Sequence, residues 1–155
     1  MFNLKAEFYL KIIFLFSFIA LISAFFIEYI LGHQPCNLCL IERIPYGLSI
    51  MIIMAIFLIR KNQKFLVMLL ILTFIFSFAI SFYHFGIEQG FFQESSVCGV
   101  KSSTEIVTKE DLLKQLSEKT ISCKDVTFRI FGLSLTSINI VISLLFIITL
   151  LKIFK

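Results

Sequence analysis

Four long stretches of the chain are apolar and carry no charge: residues 12–27, 44–59, 65–83 and 130–151. A helix that crosses a membrane needs about 20 mostly apolar residues. The two shorter stretches reach that length by taking in Phe8, Tyr9, Ile30, Leu40 and Ile41. Lys11, Glu28 and Arg43 then fall near the interfaces, where long side chains snorkel to water. Buried helices of a soluble protein are the alternative, but four uninterrupted runs leave almost no polar face for water. The pattern predicts an all-α, polytopic membrane protein. It is a single domain over 1–155, a four-transmembrane-helix bundle with spans at about 10–30, 41–59, 65–83 and 130–151.

Composition agrees with this pattern. Of 155 residues, 59% are hydrophobic and 15% charged, against about 45–50% and about 25% in soluble domains. Mean hydropathy is +0.98. Twenty Phe and no Trp leave only four Tyr for an aromatic interface belt. The first stretch follows Lys5 and Lys11 as a signal peptide would. It exceeds the usual apolar core of about 7–15 residues and no clear small-residue cleavage site follows, so a retained first helix is expected.

The net charge of +4 does not point to nucleic acid; its distribution says more. With four spans, both termini and the link 60–64 share one side. That side holds Lys5, Lys11, Arg60, Lys61, Lys64, Lys152 and Lys155 against one acid, Glu7. The segments 28–43 and 84–129 hold all the other acids. The positive-inside rule places both termini in the cytoplasm and the loops at about 31–40 and 84–129 outside. The tight 60–64 link makes the second and third helices neighbours. In the long loop, Thr108 as N-cap, Asp111 three residues on, and Leu112, Leu113 and Leu116 predict a short amphipathic helix. A solvated turn is its equal alternative.

All four cysteines fall in the outer loops: Cys36 and Cys39 in the first, Cys98 and Cys123 in the second. Thiols outside the cytoplasm meet an oxidising compartment. Three readings compete. Two structural disulfides account for Cys98 and Cys123, but a Cys36–Cys39 bond closes too short a loop to restrain the unfolded chain much. A Cys-x-x-Cys pair suits redox exchange. A four-thiolate zinc site lacks the second short-spaced pair, so no metal is expected.

Cys39 lies where the second span should begin, and a helix start favours a thiolate. Arg43 follows four residues later. A cation in a first helical turn near lipid is unfavourable and requires an anion, and Glu42 points about 100° away round the helix. Haem attachment is excluded because Leu40 follows Cys39, and the GxGxxG dinucleotide fingerprint is missing. A lipid-soluble quinone is the natural two-electron acceptor at this depth. It needs an apolar slot and a few polar groups, for which Arg43 and His84 are the candidates. Glu28 and Glu88 lie at outer helix ends and receive no role.

Together these residues resemble the DsbB family of bacterial inner-membrane disulfide bond formation proteins. The resemblance rests on four spans, one cysteine pair in each outer loop, and the run Cys36-Asn37-Leu38-Cys39-Leu40-Ile41-Glu42-Arg43 followed by Pro45-Tyr46. It implies a protein-dithiol:quinone oxidoreductase, a monomer in the bacterial inner membrane with periplasmic cysteine loops. The implied cofactor is ubiquinone or menaquinone, drawn from the lipid-borne quinone pool. The implied partner is a DsbA-like periplasmic thiol oxidase of thioredoxin fold, whose reoxidation sustains disulfide formation in exported proteins. Cys36, Cys39, Cys98 and Cys123 are the implied catalytic residues, with Arg43 and His84 at the quinone. In the implied route the partner's thiolate attacks Cys98–Cys123 to give a mixed disulfide with Cys98. Cys123 then exchanges with Cys36, leaving Cys39 as a thiolate facing the quinone. Enzymes similar to vitamin K epoxide reductase carry their Cys-x-x-Cys in the last helix, whereas here it precedes the second. The alternative from another class is a non-enzymatic four-span scaffold with two structural disulfides, in which Arg43 has no evident purpose.

Overall fold

The computed structural model describes residues 4–59, 62–93, 98, 123–124, 129–130 and 133–154. Four helical segments are long and apolar enough to cross a membrane. Helix α1 spans Leu4–Tyr29. The second crossing is built from a short α2, Asn37–Ile41, and α3, Ile44–Leu58. Helix α4 covers Gln63–Glu88. A two-residue ladder, β1 (Arg129–Ile130) with β2 (Leu133–Ser134), pairs Arg129 with Ser134 and Ile130 with Leu133. It leads into α5, Leu135–Phe154. The amphipathic helix expected at Thr108 lies outside the described residues.

Helix α4 packs against α3 and α5, α3 packs against α1, and α1 returns to touch α5, so the four crossings close a ring. Large apolar side chains such as Phe18, Phe25, Met51 and Phe76 face outward and exposed, which suits lipid. Between lipid-solvated helices there is little hydrophobic drive to associate, so close packing and hydrogen bonds carry the assembly. The inner half is apolar, with Leu10, Ile13, Ile53, Val67, Leu70, Phe74 and Leu150 buried together. Polar contacts join the helices at small residues. Ser49 donates to Ser17 at 2.9 Å across α3 and α1, and Ser143 donates to Ser77 at 3.2 Å across α5 and α4. Each such bond contributes about 0.6 kcal/mol in a bilayer.

Three of the boundaries that differ from the sequence expectation place functional groups. The third crossing does not stop at Tyr83 but continues to Glu88, carrying His84 and Glu88 inside the bundle. Its end is a Schellman cap: Gly90 takes φ +78°, Gly90 N–H donates to the Ile87 carbonyl, and Phe91 N–H donates to that of Gly86. The Phe92 ring stacks on Tyr83 at 5.7 Å and lies where a Cβ on Gly86 would have to be, 2.1 Å from its position. The last crossing begins at Leu135, not near Ile130, because Arg129–Ser134 is spent on the ladder. The second crossing begins earlier, at Asn37, and breaks at Glu42-Arg43. Pro45 causes the break: it has no N–H for the Ile41 carbonyl, and it is at home in the first turn of a new helix.

Candidate active site

The helix start expected near Cys39 lies three residues earlier. Cys36 is the N-cap of α2, and its sulfur accepts a hydrogen bond from Cys39 N–H at 3.3 Å. Cys39 is therefore inside the first turn, facing back to Cys36, and the two sulfurs stand 2.7 Å apart as free thiols. A small movement brings them to the bond length of about 2.05 Å.

The two sulfurs look into different surroundings. Cys36 is buried in a cluster with Leu38, Ile87, Cys98 and Cys123, and Cys39 packs against the edge of that cluster. Cys98 and Cys123 are disulfide-bonded, with Cα atoms 5.7 Å apart, so the two cysteine pairs pack together. Cys39 lines a cavity of about 350 Å³ between α1, the α2–α3 break and α5. Its walls are mostly apolar, from Phe16, Ile19, Ile27, Ile138 and Ile142, and its polar groups include Arg43, Glu42, Tyr46 and Asn139. That size is within the usual range for small-molecule sites, and a few polar groups on apolar walls is their usual lining. The residues present fit a flat, apolar acceptor with hydrogen-bonding oxygens.

Arg43 has the anion its position demands, and it is Glu28 at the end of α1. The guanidinium pairs with that carboxylate and rests over the Phe25 ring at 5.4 Å. The pair is only 16% and 22% exposed, so each charge depends on the other. Arg43 still lines the cavity beside Cys39.

His84 is not among the cavity residues. Its ring is buried behind the cysteine pair, with Nε2 3.6 Å from Cys36 Sγ. Nδ1 lies 3.0 Å from Glu42 Oε1 and 3.3 Å from Thr136 Oγ1. Glu88 Oε1 stands 3.8 Å from Nε2 and accepts from Thr136 at 2.7 Å. Glu88 Oε2 is buried and has no partner among the described residues. Asn139 donates to Glu42 Oε2 at 3.3 Å and to Ser81 at 2.7 Å, and accepts from Tyr46. The Cys36 thiol is held well below its ordinary value, chiefly by the hydrogen bond with the Cys39 side chain and further by His84, against the opposing effect of burial.

Sequence reasoning missed Glu28, Glu42, Glu88, Thr136 and Asn139. One signal was present: acids embedded at apolar helix ends need a stated partner, and His84 and Glu88 lie one turn apart. Which acid serves which base depends on how the helices face each other, and local spacing does not contain that.

Comparisons with known proteins agree with this picture. A family model described as "Disulfide bond formation protein DsbB" matches residues 6–153. An uncharacterized protein of Rickettsia prowazekii (strain Madrid E) is 32% identical over 130 residues, covering 83% of this chain and 76% of that relative. No solved structure matches.

Proposed function

Because the chain belongs to the DsbB family of disulfide bond formation proteins, we propose that it reoxidises a DsbA-like thiol oxidase and delivers the electrons to a membrane quinone. It is a membrane-spanning oxidoreductase. The setting we propose is the bacterial inner membrane, with both termini cytoplasmic and the cysteine pairs on the periplasmic side. The observation that carries the reading is the division between the sulfurs: Cys36 packs with the Cys98–Cys123 disulfide, while Cys39 lines the cavity with Arg43.

The exchange steps balance in sulfur and electrons. A thiolate of the partner attacks Cys98–Cys123, bonding to Cys98 and releasing Cys123 as thiolate. The partner's second thiolate then breaks that mixed disulfide, leaving the partner oxidised. Cys123 attacks Cys36 of an oxidised Cys36–Cys39 pair, and Cys39 leaves as thiolate. Attack of Cys98 on Cys123 then restores the loop disulfide and releases Cys36. Two electrons have moved from the partner's dithiol to Cys36 and Cys39. Exchange of this kind needs an attacking thiolate and a stable leaving thiolate. A quinone bound in the cavity supplies the two-electron, two-proton acceptor that takes the pair back to its disulfide.

The chain's own residues supply position and charge. Arg43, fixed by Glu28 and Phe25, presents a cation where an acceptor oxygen and the Cys39 thiolate both gain from it. Tyr46 and Asn139 add hydrogen-bonding groups to the same wall. We place His84 on the dithiol side of the site, where Nε2 meets Cys36 and the carboxylate of Glu42 fixes the ring through Nδ1. Ubiquinone and menaquinone both suit the cavity's chemistry. The test is quinone absorbance in detergent after addition of a reduced thioredoxin-fold thiol oxidase, with Cys39→Ser alongside. Bleaching by the unaltered protein and none by the variant is expected. A partner left reduced, with several quinones unchanged, would overturn the reading in favour of a scaffold with two permanent disulfides.

A further inference from the structure

The dithiol and the imidazole behind it have a second chemistry in common. Cys36 Sγ, Cys39 Sγ and a ring nitrogen of His84 all lie within 4.8 Å of one another. We propose that, when reduced, Cys36 and Cys39 join His84 to form a site for a thiophilic divalent cation of the zinc class, and that occupation holds the pair reduced.

Two thiolates and an imidazole are a common zinc donor set. Tetrahedral bonds of about 2.3 Å to sulfur and about 2.0 Å to nitrogen place S and N about 3.5 Å apart. Cys36 Sγ and His84 Nε2 are already 3.6 Å apart. The two sulfurs must open from 2.7 Å to about 3.8 Å by the same geometry, within reach of a rotamer adjustment in a five-residue helix. His84 Nδ1 faces the Glu42 carboxylate at 3.0 Å. That carboxylate–histidine arrangement fixes the tautomer so that the Nε2 lone pair points to the metal, and it raises ligand basicity. Glu42 is itself held by Asn139. Three protein donors leave a fourth position, for water or for Glu88, whose Oε1 is 3.8 Å from Nε2 and whose Oε2 is unpartnered. The cavity on which Cys39 opens is the entry path.

The metal changes no oxidation state: two metal–sulfur bonds form, and the protons of the two thiols leave to solvent. In the disulfide form neither thiolate exists, so the site belongs to the reduced state alone. The consequence for turnover rests on the functional reading above, since a cation on both sulfurs blocks their return to a disulfide. Binding itself requires neither quinone nor partner.

The experiment is a titration of the full chain in detergent, reduced with a phosphine that does not bind metal. Zn²⁺ is measured by competition with a chromophoric chelator, and Co²⁺ serves as a spectroscopic probe. One equivalent per chain is expected, with intense visible Co²⁺ bands of a tetrahedral sulfur-bearing site. The chain oxidised at Cys36–Cys39 should show neither. His84→Ala should lose the tetrahedral spectrum, and Glu42→Gln, which keeps all three donors, should bind about 10–100-fold more weakly. The double variant Cys98→Ser, Cys123→Ser should bind as the unaltered protein does. Equal binding by oxidised and reduced chains would overturn the proposal. So would no binding to a reduced chain of unchanged helical content, or loss confined to the Cys98/Cys123 variant.

Discussion

Cys36 and Cys39 are one helical turn apart, yet they occupy two different regions of the molecule. On the Cys36 side the groups are polar, buried and hydrogen-bonded to one another: His84, Glu42, Glu88 and Thr136, with the second disulfide packed close by. On the Cys39 side the walls are mostly apolar and open to a cavity, with Arg43, Tyr46 and Asn139 among their polar groups and Glu42 and Thr136 shared between the two sides. In the proposed reaction identical thiols thus take different work. One is suited to exchange with another sulfur, the other to meeting a hydrophobic acceptor. The short α2 makes this possible, because its single turn and the Pro45 break aim the two side chains at different neighbours.

The largest effect comes from removing either sulfur. Cys36→Ser and Cys39→Ser should each lower partner-driven quinone reduction by at least about 10³-fold, as loss of a nucleophile does. Their residual products should differ, because Cys36 is a buried member of the cluster that holds the loop disulfide and Cys39 packs only at its edge. Next is the cavity side. Arg43→Ala should raise KM for quinone by about 10–100-fold, the loss of one charge-assisted hydrogen bond. Glu28→Gln frees the guanidinium without deleting it, and a change of about 2–5-fold is expected in the same assay. Equal effects from the two would show that Glu28 meets the acceptor itself.

The Cys36 side shows its difference through pH. Its thiol is held low by the Cys39 hydrogen bond and by His84. In the reduced protein, alkylation of Cys36 should stay fast through the neutral range and fall only in acid. His84→Ala should move that fall to higher pH. Stability follows the same sign. A group whose folded pKa is lowered contributes stability that is full above its ordinary value, here 9.0, and is lost as pH falls through the lowered value. The disulfide form has no thiol to titrate and should lack this dependence. Thermal melts of both redox forms against pH would check it. The smallest effect is structural. Gly86→Ala must displace the Phe92 ring and should destabilise the end of α4 by about 1 kcal/mol, with the cavity side unaffected.

Much of the architecture was legible because uncharged runs of membrane length have few other uses, and because the link 60–64 leaves α3 and α4 no choice but to be neighbours. Arg43 also announced its need for an anion. The identity of that anion was not legible: Glu28 is far back in the chain and becomes adjacent only because α1 packs on α3. The end of α4 was misplaced for a similar reason. His84 ends the apolar run by its polarity, whereas Glu42, Glu88 and Thr136 on three helical segments satisfy it inside the bundle. The start of α2 was misplaced because a cysteine sulfur acts as its N-cap, a role usually filled by Ser, Thr, Asp or Asn.

The division of labour between the two sulfurs is tested most directly by trapping. Cys39→Ser and Cys36→Ser chains, each with its Cys98–Cys123 disulfide formed, would be incubated without a partner, quenched with alkylating agent, and mapped by mass spectrometry. In the Cys39→Ser chain the Cys36 thiolate can attack Cys123 and release Cys98 as thiolate, so a Cys36–Cys123 disulfide is expected to accumulate, with no Cys39–Cys123 counterpart in the Cys36→Ser chain. A Cys39–Cys123 bond forming as readily would contradict it, because the two sulfurs would then face the loop pair alike.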